Sequence, residues 1–182
     1  MRWPIHLAIL LIPILVRVPP VGAQMLPAEV SVCFVPGEPC AAQIVDAIAS
    51  ARHEVRVQAY GFSAPRIISA LAEARARGVD VAVILDRSDE RRLCERGGAL
   101  LAAGVPVWID HVPGIAHNKV IVIDRRMVIG GSYNYTASAE RRNAENVTFI
   151  ESEAVAARFL ANWASRQAAA ALAGGAIADG TC

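Results

Sequence analysis

The chain has 182 residues, of which 54% are hydrophobic and 19% charged. That balance excludes a disordered or acidic-tail protein, the length fits one domain, and an aromatic content of 5% argues against a base-stacking single-strand platform. The 18 basic residues outnumber the 17 acidic ones by one, and every basic residue except Lys119 is an arginine.

Residues 1–23 read as a secretory leader. Arg2 supplies the positive start, Leu7 to Val16 an apolar run broken by Pro13, and Val21-Gly22-Ala23 the small residues of a cleavage site, so the mature chain is expected to begin at Gln24. A membrane-spanning helix needs roughly 20 apolar residues, and Arg17 interrupts the run too early. The expected location is periplasmic or secreted, with no stable membrane insertion after cleavage. Losing Arg2 and Arg17 leaves 16 basic residues against 17 acidic ones. Contact with nucleic acid then depends on a local basic patch and not on overall charge.

Export places the four cysteines where disulfides persist. Cys33 and Cys40 flank the turn Pro36-Gly37-Glu38-Pro39, which favours their pairing. Four cysteines allow three full connectivities, and Cys94 and Cys182 are left open. A Cys-x6-Cys spacing with no second pair does not read as a zinc site. The chain has no phosphate loop and no Gly-x-Gly-x-x-Gly, so a nucleotide has no obvious seat and no cofactor is expected.

From residue 30 the chain alternates strand and helix signals. Strands are expected over Val30–Val35, Val55–Tyr60, Val79–Leu85 and Val105–Ile109. Helices are expected over Ala41–Arg52, Ala64–Arg77 and Asp89–Ala103, with Ser63 as a cap before the second. Gly78 and Gly104 close the second and third helices. Val120–Ile123 and Met127–Ile129, joined by Asp124-Arg125-Arg126, form a hairpin. Asn146–Ile150 is a further strand, Ser152–Ala171 a long Ala-rich helix, and residues 174–182 a flexible tail. β-α units first and antiparallel pairs later predict an α/β sandwich with a central mixed sheet flanked by helices, one domain over residues 24–173.

The chemistry concentrates between His117 and Glu145. With Lys119 at a strand start, positions 117 and 119 share a face, and an imidazole beside an ammonium suits a phosphate. The lysine offsets charge on the non-bridging oxygens. The imidazole attacks phosphorus or moves a proton. Ser132 and Asn134, again two apart, aim hydrogen bonds at one place after the paired Gly130-Gly131. Glu145 on the next strand supplies a carboxylate able to orient an imidazole.

The string His117-x-Lys119-x4-Asp124-x6-Gly131-Ser132-x-Asn134 resembles the signature of the phospholipase D superfamily. Val32-x-Phe34-x-Pro36, Ala59-Tyr60-x-Phe62 and Asn143-Ala144-Glu145-Asn146 are similar to its small, exported bacterial endonucleases. The resemblance covers most of residues 30–165. It implies a phospholipase D-like α/β sandwich and metal-independent phosphodiester hydrolysis through a phosphohistidine on His117. It further implies that Lys119 and Asn134 hold the phosphate and that Glu145 supports the histidine. Asp124 then looks structural or orienting more than a direct phosphate contact, and Ser132 a hydrogen-bond donor or a turn residue.

In-line displacement needs a nucleophile on one side of phosphorus and a proton donor on the other. Larger members of the family carry two motifs; this chain carries one. A two-fold homodimer that brings both copies of His117 to its axis supplies the pair. His111, six residues upstream of His117, is the one-chain alternative for the acid, and His53 reads as a surface residue. Arg125-Arg126, Arg141-Arg142 and the group Arg87, Arg91, Arg92 and Arg96 are candidates for a phosphate-tracking surface. The expected substrate is DNA, with RNA as a second nucleic acid. A phospholipid enzyme with the same site, and a non-catalytic nucleic-acid-binding member, are the rivals.

Overall fold

A computed structural model describes residues 22–89 and 98–173. The expected leader up to residue 21, residues 90–97 with Cys94, Arg91, Arg92 and Arg96, and the expected tail from residue 174 with Cys182 lie outside the described residues.

The elements follow the hydrophobic pattern. Strand β1 covers Glu29–Val35, helix α1 Cys40–Ser50, β2 Glu54–Ala59, α2 Pro65–Ala76 and β3 Asp80–Asp86. A single 3-10 turn, Arg87–Asp89, follows, then α3 Gly98–Ala102, β4 Val107–Asp110, β5 Lys119–Ile123 and β6 Met127–Gly131. The chain continues with α4 Ala137–Arg142, β7 Glu145–Glu151, α5 Glu153–Ala169 and the two-residue β8 Ala171–Leu172.

The eight strands form one mixed sheet in the order β1-β7-β6-β5-β2-β3-β4-β8. β2, β3 and β4 are parallel, whereas β5, β6, β7 and β1 are joined by antiparallel pairings. The predicted mixed α/β sandwich is the observed fold. Its two faces are read from the period-2 alternation of each strand. Ile121 and Ile123 of β5, Val57 of β2, Val83 of β3 and Cys33 and Val35 of β1 turn to the layer of α1 and α2. Val120, Val122 and Val128 turn the other way, onto Ala156, Phe159 and Leu160 of α5. Trp163 of α5 closes that second face over Ala82 and Ile84 and donates its indole N–H to Val57 O at 3.0 Å.

Several local expectations are corrected. Ser63 does not cap α2: the N-cap is Ala64 with no side-chain bond, and Pro65 at the first helical position starts the helix by fixing φ. Ser63 and Ala64 instead donate their backbone N–H groups to Tyr135 O, each at 2.8 Å. The long C-terminal helix stops at Ala169, because Ala171–Leu172 pairs with β4 as an edge strand. Ser152 caps that helix through Val155 N. Of the helix expected over Asp89–Ala103, Asp89 belongs to the 3-10 turn and Gly98–Ala102 is helical. The short helix α4 was not foreseen; six residues are too few to show a period.

The β5–β6 hairpin closes as expected through Asp124 and Arg125, both at positive φ (49° and 57°). Arg126 N donates to Ile123 O at 3.0 Å across the turn. Two left-handed central residues match the right-handed twist of the flanking strands. Cys33 and Cys40 are joined by a disulfide, as favoured from the turn between them.

Candidate active site

Strand direction assembles the site. The C-terminal ends of β2, β3 and β4 point one way, and Ala59 at the end of β2 pairs with Lys119 at the start of β5. The antiparallel steps bring Gly131, at the end of β6, opposite Val147, two residues after Glu145. Tyr60, Asp86, Lys119, Ser132 and Glu145 therefore share one end of the sheet.

Lys119 is 9% exposed, while His117 stands in the open. Lys119 Nζ donates to His117 O at 3.0 Å and lies 5.3 Å from the centre of the Tyr60 ring. The same ring meets the His117 imidazole edge-on, centroids 4.6 Å apart. Burial pushes the Lys119 ammonium below the usual lysine range, and the Glu145 carboxylate works against that shift.

Glu145 is held by Ser132 Oγ, which donates to Oε2 at 2.5 Å, and by Asn143 Nδ2, which donates to Oε1 at 2.8 Å. Ser132 Oγ in turn accepts from Asn146 N at 3.1 Å. Ser132 thus links β6 to β7 within the single chain. Gly131 is required for that link: at φ +138°, a Cβ there would strike the backbone oxygen of Asn146. Asn134 sits against Gly61, and its Oδ1 is buried with no hydrogen-bond partner among the described residues. A buried amide oxygen left unpaired next to Gly61 can accept a hydrogen bond from an incoming group.

Asp124 does not join this group. It lies at the far end of β5, roughly 17 Å along the strand from Lys119 at the usual rise per residue. Its carboxylate accepts the backbone N–H groups of Arg52, His53 and Glu54 at 2.9, 2.8 and 2.9 Å. It ties the α1–β2 turn to the hairpin. Arg125 and Arg126 go with it, paired to Glu54 and Glu151 at 3.0 and 3.2 Å, and so leave the expected phosphate-tracking surface. Arg87, Arg141 and Arg142 are exposed at the site end. His53 is exposed beside the Asp124 turn, as expected of a surface residue.

Three residues escaped the sequence reading of the site. Tyr60 was noticed only as part of a resemblance, yet it touches both the imidazole and the ammonium. Asp86 is 1% exposed and accepts Ala116 N at 2.7 Å and Ser88 N at 2.9 Å, staking down the residue before His117. Burial alone would raise its pKa, but these bonds prevail and hold the carboxyl below its ordinary range. Asp89, also 1% exposed, accepts Gly61 N at 2.8 Å and Phe62 N at 3.2 Å. Aspartates at strand ends are usually turn residues, so sequence carries little signal for these roles.

Residues 44–166 match the family model described as cardiolipin synthase, PLD-like domain. The chain belongs to the phospholipase D superfamily. It is 47% identical over 146 residues to a protein named phospholipase D from Rickettsia bellii (strain RML369-C), covering 80% of this chain and 73% of the relative. It is 33% identical to the human mitochondrial cardiolipin hydrolase over 80% of this chain and 58% of that protein. Among solved structures it is similar to Nuc of Salmonella typhimurium, a phospholipase D family member, with a TM-score of 0.74 and 34% identity over 80% of this chain and 98% of that one. As a member of this superfamily the chain is a phosphodiester hydrolase.

Proposed function

We propose that this phospholipase D-family hydrolase is an exported endonuclease that cleaves DNA, and RNA secondarily, without a metal, at a site shared between two copies of the chain. The observation that carries the reading is the exposed His117 imidazole fixed beside the buried Lys119 ammonium, with Ser132, Asn134 and Glu145 at the same sheet end.

In this reading a neutral His117 attacks phosphorus, forming a P–N bond as the P–O bond to the leaving group breaks. The imidazolium of the second copy gives its proton to the departing oxygen. That imidazole, now neutral, takes a proton from water as the water oxygen bonds to phosphorus and the P–N bond breaks. Lys119 and Asn134 hold the non-bridging oxygens. Glu145, positioned by Ser132 and Asn143, keeps Lys119 charged and supports the histidine.

Nucleic acid is favoured over lipid by the single motif, by the likeness along nearly the whole length of Nuc, and by the exposed Arg87, Arg141 and Arg142 at the site end. The names of the Rickettsia and human relatives support the lipid alternative. The leader pattern and the Cys33–Cys40 disulfide support a periplasmic or secreted location.

The test is to incubate the protein in EDTA with plasmid DNA, with RNA and with phosphatidylcholine vesicles, beside His117→Ala. DNA nicking in EDTA that the variant loses is the expected result. Nicking that requires added metal, or that persists in His117→Ala, refutes the mechanism; choline release without nicking reassigns the substrate to lipid.

A further inference from the structure

A cavity of about 360 Å³ opens beside the site, between the N-terminal turns of α1 and α2 and the short helix α4. Its size suits a small ring system. Ala64, Pro65, Ile67 and Ala137 give it apolar walls. Thr136, also on its wall, joins it to the site. The Thr136 methyl and the Asn134 side chain both lie against Gly61, and Thr136 N donates to Asn134 O at 2.7 Å. Glu140 follows about 6 Å further along α4, one helical turn on.

The fold accounts for only half of the Glu140 carboxylate. Oε2 accepts the Tyr133 hydroxyl at 2.8 Å and Ala41 N at 3.2 Å, tying α4 to α1 and to the segment after β6. Oε1 has no hydrogen-bond partner among the described residues, and Glu140 lines the cavity. A glutamine oxygen would make the same two bonds, so the tie needs neither the charge nor the second oxygen. Arg66 and Arg141 line the cavity at its exposed edge.

This combination discriminates among ligands. An acyl chain would strip water from a carboxylate without replacing its hydrogen bonds. A phosphate inside the cavity would meet a like charge, and an organic cation would meet two guanidinium groups. A neutral planar ring with an N–H edge avoids all three penalties. The apolar walls cover its faces, Oε1 accepts its N–H, and the two arginines reach phosphates on either side.

We propose, on the nuclease reading above, that this cavity holds the nucleobase next to the scissile phosphate and that Glu140 selects cytosine or adenine against thymine or uracil. The amino groups of cytosine and adenine donate to a carboxylate. Thymine and uracil place a carbonyl oxygen at the same position, lone pair against lone pair. A base has to leave its stack to enter, so the strand is single there.

Cleavage of single-stranded oligo(dC), oligo(dA) and oligo(dT) in EDTA tests this on the wild type, Glu140→Gln and Ala137→Phe, with choline release from phosphatidylcholine vesicles in parallel. The wild type should cut oligo(dC) and oligo(dA) with kcat/KM roughly 10-fold above oligo(dT), the effect expected of one hydrogen bond to a charged group. Glu140→Gln keeps its oxygen on Tyr133 and Ala41 and turns its amide N–H toward the base, so the order should reverse in favour of oligo(dT). A ratio between substrates does not depend on the fraction of protein folded, so weakening the Tyr133 tie alone does not reverse it. Ala137→Phe fills the cavity with Glu140 in place and should make the three rates equal; it decides the matter if Glu140→Gln does not fold. Equal wild-type rates, or an order unchanged in either variant, overturn the base pocket and leave the nuclease standing. Choline release with no oligonucleotide cut overturns the nuclease and the pocket together, and slower choline release in Ala137→Phe then gives the cavity to an acyl chain.

Discussion

Asp124 is the motif residue whose position departs most from a catalytic role, and replacing it separates stability from chemistry. Its carboxylate receives three backbone N–H groups, two of them at the exposed Arg52 and His53 and one at the part-buried Glu54. A hydrogen bond to a charged group contributes about 1.5–3 kcal/mol when buried and less when water competes, so the set contributes about 2–4 kcal/mol. Asp124 also holds a φ of 49°, which costs alanine about 1 kcal/mol more. Asp124→Ala should therefore destabilise by about 3–5 kcal/mol and lower Tm by roughly 10 °C. Asp124→Asn keeps one acceptor and tolerates the left-handed region, and should lose about 1–2 kcal/mol.

The pH dependence has a definite sign. Burial alone would raise the Asp124 pKa, but the bonds from Glu54, Arg52 and His53 prevail and depress it in the folded state. A depressed carboxylate stabilises the fold above its unfolded pKa, about 3.9, and loses that contribution as pH falls through the folded value. The stability gap between wild type and Asp124→Asn should thus be full at neutral pH and close below about pH 4. The assay is thermal unfolding across pH, paired with DNA nicking well below Tm. An Asp124→Asn protein that unfolds like wild type yet has lost kcat would refute the structural assignment.

Two further outcomes follow from the site. Lys119→Arg keeps the charge but replaces a compact donor, buried against Tyr60 and bonded to His117 O, with a broad planar fork; kcat/KM for nicking should fall by roughly 100-fold, and near-wild-type turnover would remove the case for a point-like donor. Tyr60→Ala should lower kcat by about 10-fold or more with little change in KM, because the ring holds the imidazole and not the substrate. Tyr60→Phe, which keeps the ring, should restore most of that loss, and a phenylalanine variant as poor as the alanine one would point to the hydroxyl instead.

Much of the fold was legible because its signals are local. The alternation of Val120, Ile121, Val122 and Ile123 specifies a strand buried on both faces, and the chain built it so. The hairpin at Asp124-Arg125 was likewise fixed by short-range spacing. Ser63 misled because a polar residue before a helix is the usual cap, whereas here Pro65 set the start and Tyr135 O, over 70 residues away, took the backbone N–H groups of Ser63 and Ala64.

The site divides in the same way. By itself the sequence determined its chemical kinds: a histidine, the solitary lysine two residues on, an amide and a carboxylate. Only the tertiary structure decided which of them meet. Asp124 lies within the motif in sequence but at the other end of β5, because five strand residues span the sheet. Tyr60, Asp86 and Asp89 are distant in sequence but converge on His117 and its neighbours, because β2 and β3 end where β5 begins. Side-chain period is encoded residue by residue; the order and direction of strands arise only when the whole sheet pairs.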